Sequence, residues 1–284
     1  MTTLLGAAEI RALAEQMGLK PAKALGQNFV IDGNVCRKIV KLAQVSPEDI
    51  ALEIGPGLGS LTLALLDEAA GVVAVEIDSR LAMQLPITVA AHTDKSANLK
   101  VINQDALTLQ ELPVAPSVLV ANLPYNVSVP VLLHLLEKFP TLRSGVVMVQ
   151  AEVADRLVAG PGRKDYGIPS LKAAWWGKMS HVGSVSRSVF WPSPNVDSKL
   201  VGFTRGTPPG DEAMRREVFA AIDSAFAQRR KMLRSALSNW VGSSASAETL
   251  LMKAGIDPTL RGEALVIEDY CAIARAKAEM GIGS

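Results

Sequence analysis

The sequence predicts an α/β fold, a largely parallel sheet alternating with helices, followed by a small all-α domain. Three observations predict it. The apolar run Ile50-Ala51-Leu52-Glu53-Ile54, a glycine loop, a helical stretch at Ser60–Ala70 and a second run at Val72–Glu76 together read as a βαβ unit. A further aliphatic run, Val118-Leu119-Val120-Ala121, ends in Asn122-Leu123-Pro124-Tyr125, the signature of a buried parallel strand entering a loop. Beyond Gly206-Thr207-Pro208-Pro209-Gly210, only helical patterns remain, which sets domain limits at 1–206 and 207–284.

Composition narrows the function classes. Of 284 residues, 49% are hydrophobic and 20% charged, so a packed globule is expected rather than a disordered chain. The net charge of +1 announces no nucleic-acid partner, so any such partner must be held by local basic patches. Cys36 and Cys271 stand far apart without metal-ligand spacing and read as buried thiols in a reducing compartment. His92, His134 and His181 are scattered and receive no role, and no metal site is expected. No apolar run approaches the ~18 residues of a membrane span, and the N-terminus resembles an amphipathic helix more than a leader. A cytoplasmic monomer without membrane attachment is the expectation.

In order, residues 3–18 read as a helix, followed by the basic loop Lys20–Phe29. That loop is either plain surface or an arm closing over a ligand through Gln27 and Asn28. Helix 34–44 leads to the strand at 50–54 and the loop Gly55-Pro56-Gly57-Leu58-Gly59, glycine-rich where a cofactor must approach the backbone without Cβ atoms in the way. Position 60, where a dinucleotide fingerprint wants glycine, is serine, which argues against a nicotinamide cofactor. Glu76, at the end of the second strand about 20 residues beyond the loop, suits the two hydroxyls of an adenosine ribose. Strand 99–103 runs into Asp105, either an adenine acceptor or an ordinary helix cap.

Asn122 Oδ1 and the Pro124 carbonyl can each accept a hydrogen bond from one amino group, and Tyr125 can stack on a flat heterocycle. That combination suits the exocyclic amine of a nucleobase; the plain alternative is a rigid strand-to-loop transition. A helix at 129–139, a strand at 144–150 and a helix at 151–158 follow, then a basic loop at 160–167. Runs 173–183 and 196–204 read as two strands at one sheet edge. Between them Phe190-Trp191-Pro192-Ser193-Pro194-Asn195-Val196 presents two aromatics, either a second base-stacking wall or a braced core edge. Helices are expected at 211–227, 229–240, 246–254 and 266–279. Within them Arg229, Arg230, Lys231 and Arg234 form a cation run, either a solvated helix face or a phosphate-binding patch.

Four motifs occur in order: Leu25-Gly26-Gln27-Asn28-Phe29, Glu53-Ile54-Gly55-Pro56-Gly57-Leu58-Gly59, Asn122-Leu123-Pro124-Tyr125, and Phe190-Trp191-Pro192-Ser193-Pro194-Asn195-Val196-Asp197-Ser198. Together they resemble the ribosomal RNA adenine N6,N6-dimethyltransferases of the bacterial small-subunit, kasugamycin-sensitivity type, over nearly the whole chain. The resemblance implies a class I S-adenosylmethionine-dependent methyltransferase fold, Rossmann-like, with a seven-stranded mixed sheet whose final pairing is antiparallel. It implies S-adenosylmethionine as methyl donor and, as substrate, two adjacent adenosines in the 3′-terminal hairpin of small-subunit rRNA or of an immature small subunit. By position, Gln27, Asn28, Val30, Gly55, Gly57, Glu76, Asp105 and Asn122 would line the cofactor. Asn122, Pro124, Tyr125 and Phe190 would receive the base, and Arg229, Arg230, Lys231 and Arg234 the RNA. Two rivals stay open: an erythromycin-resistance-type methyltransferase of large-subunit RNA, and a non-catalytic small-subunit assembly factor.

Overall fold

A computed structural model describes residues 2–19 and 28–282. Residues 20–27 of the expected arm, Gln27 among them, lie outside the described residues. The first elements are helix α1 (Ala7–Gln16), the short strand β1 (Phe29–Val30) and helix α2 (Gly33–Leu42). Asp32 caps α2 by accepting from the backbone N–H groups of Asn34 and Val35, satisfying donors that the first helical turn leaves unpaired. Alternation then sets in: β2 (Ile50–Ile54), α3 (Ser60–Glu68), β3 (Gly71–Glu76), α4 (Ser79–His92), β4 (Leu99–Asn103), β5 (Val118–Asn122), α5 (Ser128–Lys138) and β6 (Ser144–Gln150).

The chain continues through α6 (Ala151–Val158), α7 (Ile168–Ala174), β7 (Gly177–Val185), β8 (Phe190–Trp191) and β9 (Ser198–Arg205). Five helices follow: α8 (Glu212–Ala227), α9 (Leu233–Ala236), α10 (Ser238–Val241), α11 (Ser244–Lys253) and α12 (Ile267–Glu279). Seven strands form one sheet in the order β4-β3-β2-β5-β6-β9-β7. The pairings from β4 through β6 are parallel, and β6 pairs antiparallel with β9, from Ser144 opposite Thr204 to Gln150 opposite Ser198. The expected mixed sheet with its antiparallel pairing is therefore present.

Strands β2, β3 and β5 are buried on both faces, as a parallel sheet covered by helices requires. Strand order reverses between β2 and β5. In doubly wound sheets that switch point, at the carboxyl ends of the strands, opens the ligand crevice. At the opposite ends Asp49 is buried and accepts from both guanidinium nitrogens of Arg143 and from Ser117 and Ser46.

The chain divides into two compact units. One holds the described residues up to Ala154 together with Ser180–Arg205; the other holds Asp155–Met179 with the described residues from Gly206 onward. The segment Asp155–Met179 thus groups with the helices, whereas a single boundary at 206 was expected. Several expected elements are corrected. Residues 168–174, leading into the expected strand at 173–183, form a helix with proline in its first turn, and the strand begins at Gly177. The expected helix at 229–240 is two four-residue helices preceded by a turn, and α4 was not anticipated at all.

Candidate functional site

A cavity of about 280 Å³ opens at the switch point, within the sheet-containing unit. It is lined by Asn28, Val30, Gly55, Gly57, Glu76, Asp105, Asn122 and Pro124, so eight of the residues singled out in the sequence converge there. Tyr125 and Phe190 do not line it. The cation run lies in the other unit.

The glycine loop forms the cavity's floor for steric reasons. Gly57 has φ of +59°, a left-handed conformation that a side chain resists, and a Cβ there would stand 2.9 Å from the Phe29 ring. Phe29 in turn stacks on Trp191, ring centroids 6.3 Å apart, while β1 pairs with β8 through Phe29 opposite Trp191 and Val30 opposite Phe190. Ser60, which broke the dinucleotide pattern, donates from Oγ to the Val30 carbonyl at 2.7 Å. Strand β1 is thereby fastened to the start of α3, directly after the glycine loop.

Glu76 ends β3 with 5% exposure. Its Oε2 accepts from the Gly57 N–H at 3.2 Å and its Oε1 from the Asp78 N–H at 3.0 Å, so it braces the glycine loop and faces the cavity. Burial raises its pKa, and these backbone bonds counter the rise without cancelling it. Asp105 Oδ1 caps the 3-10 turn by accepting from the Leu107 N–H at 2.9 Å, the plainer of its two expected roles, and the residue also lines the cavity.

Sequence reasoning missed Glu53. It sits at 1% exposure on β2, lines the cavity and accepts from Thr62 Oγ1 at 2.6 Å. Burial, with a further push from Glu76, raises its pKa to about 8. The signal was available: an acid inside a buried apolar strand needs a reason. Ile77, just beyond β3, and Leu107, in the 3-10 turn after β4, are exposed aliphatics that also line the cavity and offer apolar surface to a flat ring.

The acceptor loop begins at Asn122. Its Nδ2 donates to the Asn28 carbonyl at 3.1 Å. A carbonyl only accepts, so this contact fixes which end of the carboxamide is nitrogen and turns Oδ1 away from it. The Pro124 carbonyl accepts from the Val127 N–H at 3.2 Å and retains a second lone pair. Tyr125 is half-buried, and its hydroxyl meets Ser198 Oγ at 2.6 Å. Phe190 is 3% exposed and packs in the core, so the proline-braced loop is a core edge there and not a stacking wall.

In the helical unit, α8 ends at Ala227 and the basic residues begin in a turn. Arg229 pairs with Glu263 at 2.9 Å and also donates to the Lys164 carbonyl. Arg234 lies 3.7 Å from Glu248. Arg230 and Lys231 are exposed, and their side chains make no hydrogen bond or ion pair among the described residues.

A glycine-floored crevice at the switch point of a seven-stranded mixed sheet, with β9 antiparallel to β6, defines a class I methyltransferase fold. A family model described as ribosomal RNA adenine dimethylase matches residues 18–279, and the chain belongs to that family. A protein of Paenarthrobacter aurescens (strain TC1) named Ribosomal RNA small subunit methyltransferase A is 57% identical over 275 residues, spanning 96% of this chain and 94% of its own length. One of the same name from Leifsonia xyli subsp. xyli is 58% identical over 273 residues, spanning 95% and 98%. Among solved structures, a dimethyladenosine transferase from Plasmodium falciparum superposes with a TM-score of 0.73 at 25% identity, covering 88% of this chain and 98% of that one. The 23S rRNA methyltransferase ErmE gives 0.65 at 25% identity, covering 88% and 99%.

Proposed function

We propose that this chain transfers methyl groups from S-adenosylmethionine to the N6 amino groups of two adjacent adenosines in the 3′-terminal hairpin of small-subunit ribosomal RNA. Each adenosine receives two. The observation that carries the reading is the Asn122 carboxamide, whose nitrogen is engaged by Asn28 and whose oxygen is left for an amine beside the Pro124 carbonyl.

The residues lining the cavity fit the cofactor. Gly57 keeps the floor free of a side chain, Glu76 suits ribose hydroxyls, Asp105 an adenine amine, and Ile77 and Leu107 the ring faces. Carboxylates of Glu76 and Asp105 give the cavity a sign that favours a cation, while Glu53, with its pKa raised to about 8, is mostly neutral at pH 7. When bound, S-adenosylmethionine supplies an electrophilic methyl group on a sulfonium.

The protein's task is then to make a poor nucleophile competent. An adenine amino nitrogen has its lone pair delocalised into the ring. Asn122 Oδ1 and the Pro124 carbonyl, each accepting one N–H, would draw that nitrogen toward tetrahedral geometry and release the lone pair. Positioning and fixed dipoles carry such a step, with no acid or base needed on the nucleophile, and no histidine lines the cavity. The proton leaves to solvent after transfer. Withdrawing the base from its stack costs a few kcal/mol, and stacking on Tyr125 offsets ~1–3 kcal/mol of it. Arg230 and Lys231, exposed and uncommitted, are the cations best placed to take phosphates; Arg229 and Arg234 would first have to leave Glu263 and Glu248.

Methyl transfer from labelled S-adenosylmethionine to unmodified small subunits, with large subunits as control, tests the reading. Label on two adjacent adenosines of the small subunit supports it. Label confined to large-subunit RNA, or none in either, overturns it.

A further inference from the structure

Neither cofactor nor base contact explains the buried hydroxyl of Ser198. The residue opens β9 at 1% exposure and pairs with Gln150 at the carboxyl end of β6. Asn122 pairs with Met148 of the same β6 strand. The 2.6 Å contact from Tyr125 Oη to Ser198 Oγ therefore runs from the acceptor loop, over the end of β6, to the next strand of the sheet.

Two backbone bonds also hold the loop: the Leu123 N–H donates to the Met148 carbonyl, and the Val127 N–H to the Pro124 carbonyl. Neither bond fixes the Tyr125 ring, which turns about two side-chain torsions. The contact with Ser198 does fix it, because it pins the far end of the side chain. Burial raises the Tyr125 pKa, so the phenol keeps its proton and the pair remains a neutral O–H···O bond.

We propose that Ser198 is a positioning residue for methyl transfer: by holding the Tyr125 hydroxyl it sets the plane of the ring that receives the target adenine. This rests on the functional reading above. Phosphate contacts supply much of the affinity of proteins for nucleic acids, so a loosened ring is expected to cost turnover more than substrate affinity.

The test is steady-state methylation of small subunits by the full chain and its variants, with cofactor affinity and thermal midpoint measured alongside. Ser198→Ala should lower kcat about ten-fold while KM and cofactor Kd stay within about two-fold. Ser198→Thr, which keeps a hydroxyl, should recover most of the loss. Tyr125→Phe should match Ser198→Ala, and the double variant should be no worse than either, because both remove one bond. Normal kcat in Ser198→Ala, additive losses in the double variant, or a Thr variant as impaired as Ala with a fallen thermal midpoint would each overturn the proposal. A wild-type protein that transfers no methyl group would overturn the functional reading, and this role with it.

Discussion

Asn122 shows how much of the chemistry one side chain can carry once its orientation is settled. Asparagine is ambiguous in isolation, since its two ends are nearly isosteric, but a partner that only accepts removes the ambiguity. That partner, the Asn28 carbonyl, was not legible in the sequence: it is a backbone atom 94 residues away, brought in by the β1–β8 pairing. That Asn122 and Pro124 stand at the cavity's edge was legible, because residue type and strand end sufficed. Glu76 follows the same logic with a testable charge. Burial destabilises its charged form, so the carboxylate that would accept from ribose hydroxyls forms at higher pH than in an ordinary glutamate. Cofactor affinity should be full above that raised pKa and fall as pH drops through it. Glu76→Ala should weaken binding at least about ten-fold and abolish this acid limb, the loss of one or two charged hydrogen bonds. Titration calorimetry across pH checks both; unchanged affinity would remove Glu76 from the site.

Among the elements, legibility followed periodicity. The runs that became β2, β3 and β5 are continuous apolar stretches bounded by glycine or polar residues, and they appeared where expected. Helix α4 was obscured because Met83 and Ile87 are exposed at 68% and 64% and Pro86 interrupts the pattern, although Leu81, Leu85 and Val89 form its buried stripe. The basic stretch looked helical because Arg, Lys, Met and Leu all favour helices. Tertiary bonds decided otherwise: the Leu233 N–H donates to the Leu260 carbonyl and the Arg234 N–H to Pro258, which needs a turn before α9. Phe190 was readable only as an aromatic; its burial depends on β8 pairing with β1. Gly145 carries the sharpest prediction for the sheet. A Cβ there would lie 2.1 Å from the Leu119 carbonyl oxygen and 2.5 Å from the Phe203 ring, between β5 and β9. Gly145→Ala should therefore unfold or severely destabilise the protein, by more than about 4 kcal/mol, in a denaturant titration; a near-normal midpoint would contradict the described packing.

For the whole molecule, a chain of net charge +1 must confine its attraction for RNA to a patch. The sequence located the cations but not their freedom. Arg229 and Arg234 sit against the carboxylates of Glu263 and Glu248, whereas Arg230 and Lys231 project from the turn after α8. Arg230→Glu with Lys231→Glu should weaken small-subunit binding at low salt and flatten the slope of log affinity against log salt by about one to two, as expected for two lost phosphate contacts. Filter binding over a salt series checks it. An unchanged slope would leave these residues as solvated surface. The division into two units was only partly legible, because Asp155–Met179 joins the helices by contacts that no composition shift marks.

The central claim is that Asn122 Oδ1 activates the acceptor amine without binding the cofactor strongly. Single-turnover methyl transfer by Asn122→Ala, with S-adenosylmethionine affinity measured on the same preparation, tests it most directly. The predicted result is a rate reduced on the order of 10²–10³-fold with cofactor affinity within about three-fold of the wild type. Transfer at the normal rate, or a rate loss that vanishes at saturating cofactor, would contradict it.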